Sequence, residues 1–289
     1  MIIYCVIAIL AVVIVVLGIL LLIYYTKPSP DTIEGFSLAP RVVVSFTTTP
    51  DRLEYISHVA NEMKRQTYHP DAIYACIPKY SKRFKKNYDL TGVDIPVGIT
   101  IVQPEDFGPA TKLMGCIAYE NDPNTIIITV DDDINYKPDL IEQLVSLGID
   151  NPNHSIGSRA RDENLEKIDN DLYVTKSPDI DSNQYSTSSG IVPDTKGVSN
   201  LTLLGYGGIL YRRKFITPNI IQYFNNLDSQ DACFLSDDLT FSKMVTDNGY
   251  SKTKIPSMIF QENRAIEKFS PLKKEKRNET YDTCISNLT

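Results

Sequence analysis

TIIITVDDDINY, residues Thr125–Tyr136, is the stretch on which the reading of this chain turns. Its first six residues are all β-branched, and branched side chains favour an extended strand that packs on both faces. Asp131, Asp132 and Asp133 follow without a break. Carboxylates are costly in a core unless a cation or hydrogen bonds offset them, so acid delivered by a buried strand points to a site.

Outward from that strand, apolar runs of strand length alternate with segments of helical period. RVVVSFTTT (41–49) reads as a strand, and after Pro50 the spacing of Leu53, Ile56, Ala60 and Met63 predicts a helix over 52–66. AIYACIP (72–78) and ITIVQP (99–104) read as strands separated by a basic segment that runs through Lys86, and a helix is predicted from Pro109 to Glu120. Strands separated by helix-length segments indicate βαβ units. The expected fold class is therefore α/β, a mostly parallel central sheet flanked by helices in a Rossmann-like arrangement, whose ligands sit beyond the carboxyl ends of the strands. The three aspartates fall at such an end.

After Asp133 the pattern predicts a short helix over 139–147 and a strand over 155–161, then a polar region, 162–200. That region has few large apolar clusters and reads either as a loop-rich insertion over the site or as a disordered surface excursion. LTLLGYGGILYRRKFI (201–216) restores order, followed by a helix to about Leu227 and by SDDLTFSKMVTDNGY (236–250). In the last of these Ser236 is placed to cap a helix whose first turn holds Asp237 and Asp238, and Gly249 to end it. The charged tail, 263–289, reads mainly as solvated surface.

The 289 residues suffice for one large domain or two small ones, and the formal net charge of -7 excludes a general nucleic-acid binder, which needs clustered Lys and Arg to displace counterions from phosphates. Residues 2–25 carry no charged side chain, and a helix rising about 1.5 Å per residue over that length crosses a hydrocarbon layer of about 30 Å. The expectation is a single-pass membrane protein: a transmembrane anchor (1–25) in the lipid bilayer, a proline-rich stem (26–40) and a folded domain (41–262). Lys27 and Arg41 after the span favour a cytosolic domain by the positive-inside rule, whereas Asn-x-Ser/Thr sequons at Asn153, Asn200, Asn278 and Asn287 are usable only on a lumenal or exterior face. Cys5 lies in the first apolar segment, and Cys76, Cys116, Cys233 and Cys284 are dispersed, with no CxxC pair to suggest zinc. Small buried hydrophobes and one or two disulfides both stand as readings of them.

Asp131-x-Asp133 has the form of a carboxylate pair that holds a hard divalent cation from one turn and leaves positions open for phosphate oxygens and water. The same acids also match positions of a calcium-binding EF-hand loop, but that loop needs Gly where Tyr136 stands and a helix where a strand enters. Lys112, in the first turns of a helix opened by Gly108-Pro109, can join its charge to free backbone amides near an anion. GYGG (Gly205–Gly208) permits close backbone approach at Gly207 and Gly208.

On these residues the chain resembles the nucleotide-diphosphosugar transferases of the glycosyltransferase A fold, a family-2-like, DxD-containing type, over 41–262. In that superfamily a strand ends in a DxD motif that binds divalent metal and the donor diphosphate. FTTTPDR (46–52) is similar to the segment that surrounds the donor nucleoside, and DFGPATKL (106–113) to the segment that precedes the metal strand. The resemblance implies Mn or Mg held by Asp133 and Asp131, with Asp131 alternatively on the ribose. It also implies a nucleotide-diphosphate sugar contacted by Thr47, Thr49, Arg52, Lys112, Asp131, Asp132, Gly207 and Gly208, and a glycan, glycoprotein or glycolipid acceptor. The acidic pair Asp237-Asp238 would supply the base of an inverting transfer, with Asp238 as the base. Two adjacent acids can raise one another's pKa, but a helix N-terminus favours ionised acid, so the base is expected to be charged at neutral pH. His58, His69 and His154 all precede the pair, so no third protein ligand is nominated. The competing readings are a nucleotidyltransferase and a non-catalytic membrane-tethered carbohydrate- or metal-binding protein.

Overall fold

In the computed structural model, described here for residues 39–162, 165–168, 172–175, 201–262 and 274–288, strand β1 (Val42–Phe46) is buried along its whole length. Alternation sends Val42, Val44 and Phe46 into one hydrophobic cluster and Val43 into another on the opposite face. The strand Ile126–Thr129 divides in the same way, Ile126 and Ile128 to the first cluster and Ile127 to the second. Burial on both faces is why the two strands read as unbroken apolar runs.

The further strands are β2 (Ala72–Cys76), the pair β3 (Tyr80–Ser81) and β4 (Lys86–Asn87), β5 (Ile99–Val102), β6 (Ile126–Thr129), β7 (Ile134–Tyr136), β8 (His154–Gly157) and β9 (Ala160–Asp162). The pair β10 (Leu165–Ile168) and β11 (Leu172–Thr175) comes next, then β12 (Leu201–Leu203), β13 (Ile209–Arg212), β14 (Ser251–Lys254) and β15 (Ile259–Glu262). Seven of them form one sheet in the order β14-β8-β13-β6-β1-β2-β5. Only β13 runs against its neighbours; the other pairs are parallel. Helices α1 (Ile56–Lys64) and α3 (Leu140–Asp150) cover one face, through Ile56, Val59, Met63, Leu140 and Leu144. On the other lie α2 (Thr111–Cys116), α4 (Pro218–Asn226) and α5 (Asp237–Asp247), through Leu113, Phe224, Phe241 and Val245. The expected α/β architecture with a mostly parallel sheet is thus present.

Local departures have local causes. The helices predicted over 52–66 and from Pro109 each begin as a 3-10 turn, Pro50–Tyr55 and Gly108–Ala110, because proline fixes its φ and offers no N–H to the first turn. The turn after Asp133 leads first into β7, which pairs with β15 before α3 begins. Tyr136 is therefore a strand residue, and its hydroxyl accepts from the Asp131 N–H at 2.9 Å, a geometry foreign to a calcium loop. Gly249 ends α5 with φ +81°, as its position predicts.

The tail that reads as solvated surface carries a helix, α6 (Lys274–Leu288). Tyr281, Cys284, Ile285 and Leu288 form an apolar stripe that packs with Cys233 and Leu239, and Cys233 and Cys284 are joined as a disulfide. Cys76 and Cys116 are free thiols buried in the core, so each reading of the cysteines holds for one pair. The expected anchor (1–25), nearly all of the stem and most of the polar region 162–200 lie outside the described residues. Among the described residues no helix is long and apolar enough to cross a membrane.

Where α2 meets the sheet there is no spare volume: a Cβ on Gly115 would lie 2.8 Å from Pro104 Cγ and 2.9 Å from Cys76 Sγ. Gly115→Ala is expected to cost about 1–3 kcal/mol by overpacking. Urea denaturation checks this as a lower midpoint at unchanged slope.

Candidate functional site

The order of the sheet reverses between β1 and β6. From β1 the chain builds outward through β2 and β5, then returns to place β6 on the other side of β1. At such a switch point the connections beyond the two carboxyl ends part and leave a crevice. Here the loop after β1, which carries Thr47, Thr48, Thr49 and Arg52, and the acidic turn after β6 flank it.

Within the acidic turn the carboxylates divide by exposure. Asp132 is buried, with Oδ1 accepting from Arg52 Nη1 at 2.7 Å and Oδ2 accepting from the Thr48 hydroxyl. Arg52 Nη1 also reaches Asp133 Oδ2 at 3.3 Å. Arg52 is itself buried, so its guanidinium ties the loop after β1 to the turn after β6. Asp131 and Asp133 stay partly exposed, with side-chain accessibilities of 30% and 28%. Burial and then the neighbouring Asp131 and Asp132 push the Asp133 carboxyl up to about 6, against the pull of Arg52.

Lys112, in the first turn of α2, crosses from this turn to α5. Its Nζ lies 2.8 Å from Asp131 Oδ1 and 3.4 Å from Asp237 Oδ2. Burial alone would drive the ammonium toward its neutral form, but Asp131, Asp237 and Asp238 outweigh that and hold its pKa well above the ordinary value. The Gly205 N–H donates to Asp238 Oδ1 at 2.9 Å. A Cβ on Gly205 would stand 2.7 Å from that oxygen and 2.7 Å from Lys112 Nζ, so a side chain there would displace the Lys112 ammonium or the Asp238 carboxylate. The Gly207 carbonyl accepts from the Ser158 hydroxyl, and Gly208 takes φ +81° to enter β13, whose Ile209 pairs with Thr129 at the end of β6.

Asp238 departs from expectation. Burial first, and Asp237 next, push its carboxyl up to about 8, with Lys112 opposing. The partial charge of the helix start is outweighed by the loss of water and by the adjacent carboxylate, so the carboxyl is raised rather than lowered.

The predicted residues all fall on the carboxyl edge of the sheet, in distinct settings. Lys112, Asp131 and Asp237 form one ion-paired group, and Arg52, Asp132 and Asp133 another. Thr47 Oγ1 donates to the Cys76 carbonyl at 2.7 Å, and the Thr49 carbonyl accepts from the Arg52 N–H at 2.9 Å; both threonines are partly exposed beside the acids. Farther along the same edge, beyond β2 and β5, a pocket is lined by Lys79, Lys82, Gln103 and Asp106. Thr48, Tyr136, Ser158 and Gly205 escaped the sequence reading as site residues. Thr48, Tyr136 and Gly205 stood inside stretches already singled out, but only contacts between distant segments reveal what they hold.

No family model matches this chain, and no curated protein matches it. Among solved structures it is similar to a UTP-bound UGPase from Acinetobacter baumannii, at 10% identity and a TM-score of 0.39, over 87% of this chain and 100% of that one. A likeness that distant carries no functional argument.

Two outcomes follow from the charges. Lys112→Met leaves Asp131 and Asp237 without their counterion and is expected to cost about 3–5 kcal/mol, whereas Lys112→Arg retains most of the stability; chemical denaturation of both variants checks this. A carboxyl whose folded pKa is raised contributes stability that is complete below its unfolded value and is lost as pH rises through about 8. Asp238→Asn should therefore stabilise the protein more at pH 8 than at pH 5, measured as the difference in thermal midpoint from wild type.

Proposed function

We propose that this protein is a metal-dependent glycosyltransferase that moves a sugar from a nucleotide-diphosphate donor to an acceptor hydroxyl with inversion. The observation that carries the reading is the placement of two acidic groups beside one another at one edge of the sheet, bridged by Lys112. The Asp131-Asp133 turn lies at the switch point of the sheet, and Asp237-Asp238 at the start of α5 is joined to it through Lys112. A donor diphosphate at the switch point would lie between them, its nucleoside directed along Thr47 and Thr49.

Asp131 and Asp133 fit a hard cation that shares its shell with phosphate and water. Each is partly exposed: Asp131 gives Oδ1 to Lys112, and Asp133 gives Oδ2 to Arg52. Among the described residues no group of three or more His, Cys, Asp or Glu side chains is placed to hold a metal ion, so a Mg or Mn ion at this carboxylate pair would take its remaining ligands from phosphate oxygens and water. Bound there, the cation would offset charge gathering on the leaving diphosphate.

Asp238 takes the proton of the acceptor hydroxyl as its oxygen bonds to the anomeric carbon and the bond from that carbon to the diphosphate oxygen breaks. A carboxyl raised to about 8 is a stronger base than an ordinary aspartate and, at a pH near that value, is partly free to accept. Gly205 fixes one Asp238 oxygen and leaves the other for the substrate. Arg52 and Asp132 act beneath the site as positioning residues for Asp133.

Incubation of the full chain with a panel of nucleotide sugars and Mn tests the proposal. Wild type is expected to hydrolyse or transfer from at least one donor, Asp133→Ala to lose that activity, and Asp238→Asn to lose about 10²–10⁴-fold in turnover while still binding the donor. Release of pyrophosphate from a nucleoside triphosphate and a sugar phosphate would assign the site to nucleotidyl transfer instead. Absence of hydrolysis, transfer and binding for every donor would overturn the proposal.

A further inference from the structure

Cys233 and Cys284 are bonded across 51 residues of chain. Both are fully buried in a small cluster with Leu239, apart from the two clusters that fill the faces of the sheet. Helix α6, which carries Cys284, has the polar sequence KEKRNETYDTCISNL, and Tyr281, Ile285 and Leu288 are its apolar residues that pack beside the cysteine among the described residues. Closing a loop of this size removes freedom from the unfolded chain and so supports the docking of α6. Links of this kind form and persist in oxidising compartments.

The sequon Asn153-His154-Ser155 has a geometry that suits such a compartment. Asn153 is exposed in the turn between α3 and β8, its Oδ1 accepting from Lys214 Nζ at 3.0 Å and its amide nitrogen unpartnered among the described residues. Ser155, whose hydroxyl the sequon requires, is buried and donates to the Leu210 carbonyl at 2.8 Å. The tripeptide is therefore readable on the unfolded chain, and folding then seals the serine while leaving the asparagine outside. Position matters as well. β8 and β6 both run antiparallel to β13, so they share a direction, and Asn153 at the amino end of β8 lies on the edge of the sheet opposite the acidic turn. A bulky glycan there would leave the crevice open.

We infer that this domain folds in an oxidising, lumenal or exterior compartment and that Asn153 is an N-glycosylation site there. The inference rests on the cysteines and the sequon, and it stands or falls independently of the transfer reaction.

The test uses the full chain expressed in a eukaryotic cell. Denaturing alkylation without reduction is expected to label Cys76 and Cys116 and to spare Cys233 and Cys284, which label only after reduction. Endoglycosidase is expected to shift wild type by the mass of its glycans, and Asn153→Gln, which alters only an exposed amide, to lack one glycan at unchanged thermal midpoint. Labelling of Cys233 and Cys284 without reduction overturns the assignment of compartment. A wild-type chain with no glycan, or with the same glycan mass as Asn153→Gln, overturns the assignment of the site.

Discussion

The ammonium group of Lys112 is buried where two parts of the chain more than a hundred residues apart both deliver acid. Asp131 arrives at the end of β6 and Asp237 at the start of α5, and without a cation between them their repulsion in a poorly hydrated space would push the turn and the helix apart. Lys112 holds both, and Gly205, which no larger residue could replace without striking Lys112 or Asp238, lets the loop before β13 close over the pair. The geometry of the carboxyl edge depends on this one charge. Arg52 repeats the device one strand over, fixing Asp132 and steadying Asp133 from below.

The opposite edge of the sheet shows what a purely structural acid looks like. Glu120 is buried there, and its two oxygens are taken up by Arg41 and by the Tyr74 hydroxyl, closing the start of β1 onto β2. Nothing is left over for a ligand. Asp131 and Asp133, in contrast, each spend one oxygen on a protein cation and stay partly exposed. That difference in saturation, more than the clustering of acid, separates a site from a brace.

Much of this was legible in the residues. The runs VVVSF and IIIT read as buried strands because both faces of each are covered, and the alternation of such runs with helical periods gave the parallel sheet and the edge on which ligands collect. The acid turn, Lys112 and Asp237-Asp238 were visible as residue types in the right local context. Less visible was anything that depends on pairing across the chain: β7 with β15, Cys233 with Cys284, Arg52 with Asp132. Asp238 is raised against the pull of the helix start because its burial and the nearness of Asp131 come only with tertiary structure, whereas the neighbouring Asp237 and the helix N-terminus are read from sequence.

The sequence by itself determined the α/β class, the strand that carries the acid and the identities of the charged residues, because strand and helix periods and carboxylate chemistry are properties of short segments. Tertiary structure alone decided which acids face solvent and which are spent on Arg52 and Lys112, that the charged tail docks as α6 through a disulfide, and that Asn153 lies on the far edge from the crevice. The reason is physical: solvation, ion pairing and covalent closure are set by what stands within a few ångströms in space, and residues as distant as Arg52 and Asp132 meet there only after the sheet has formed.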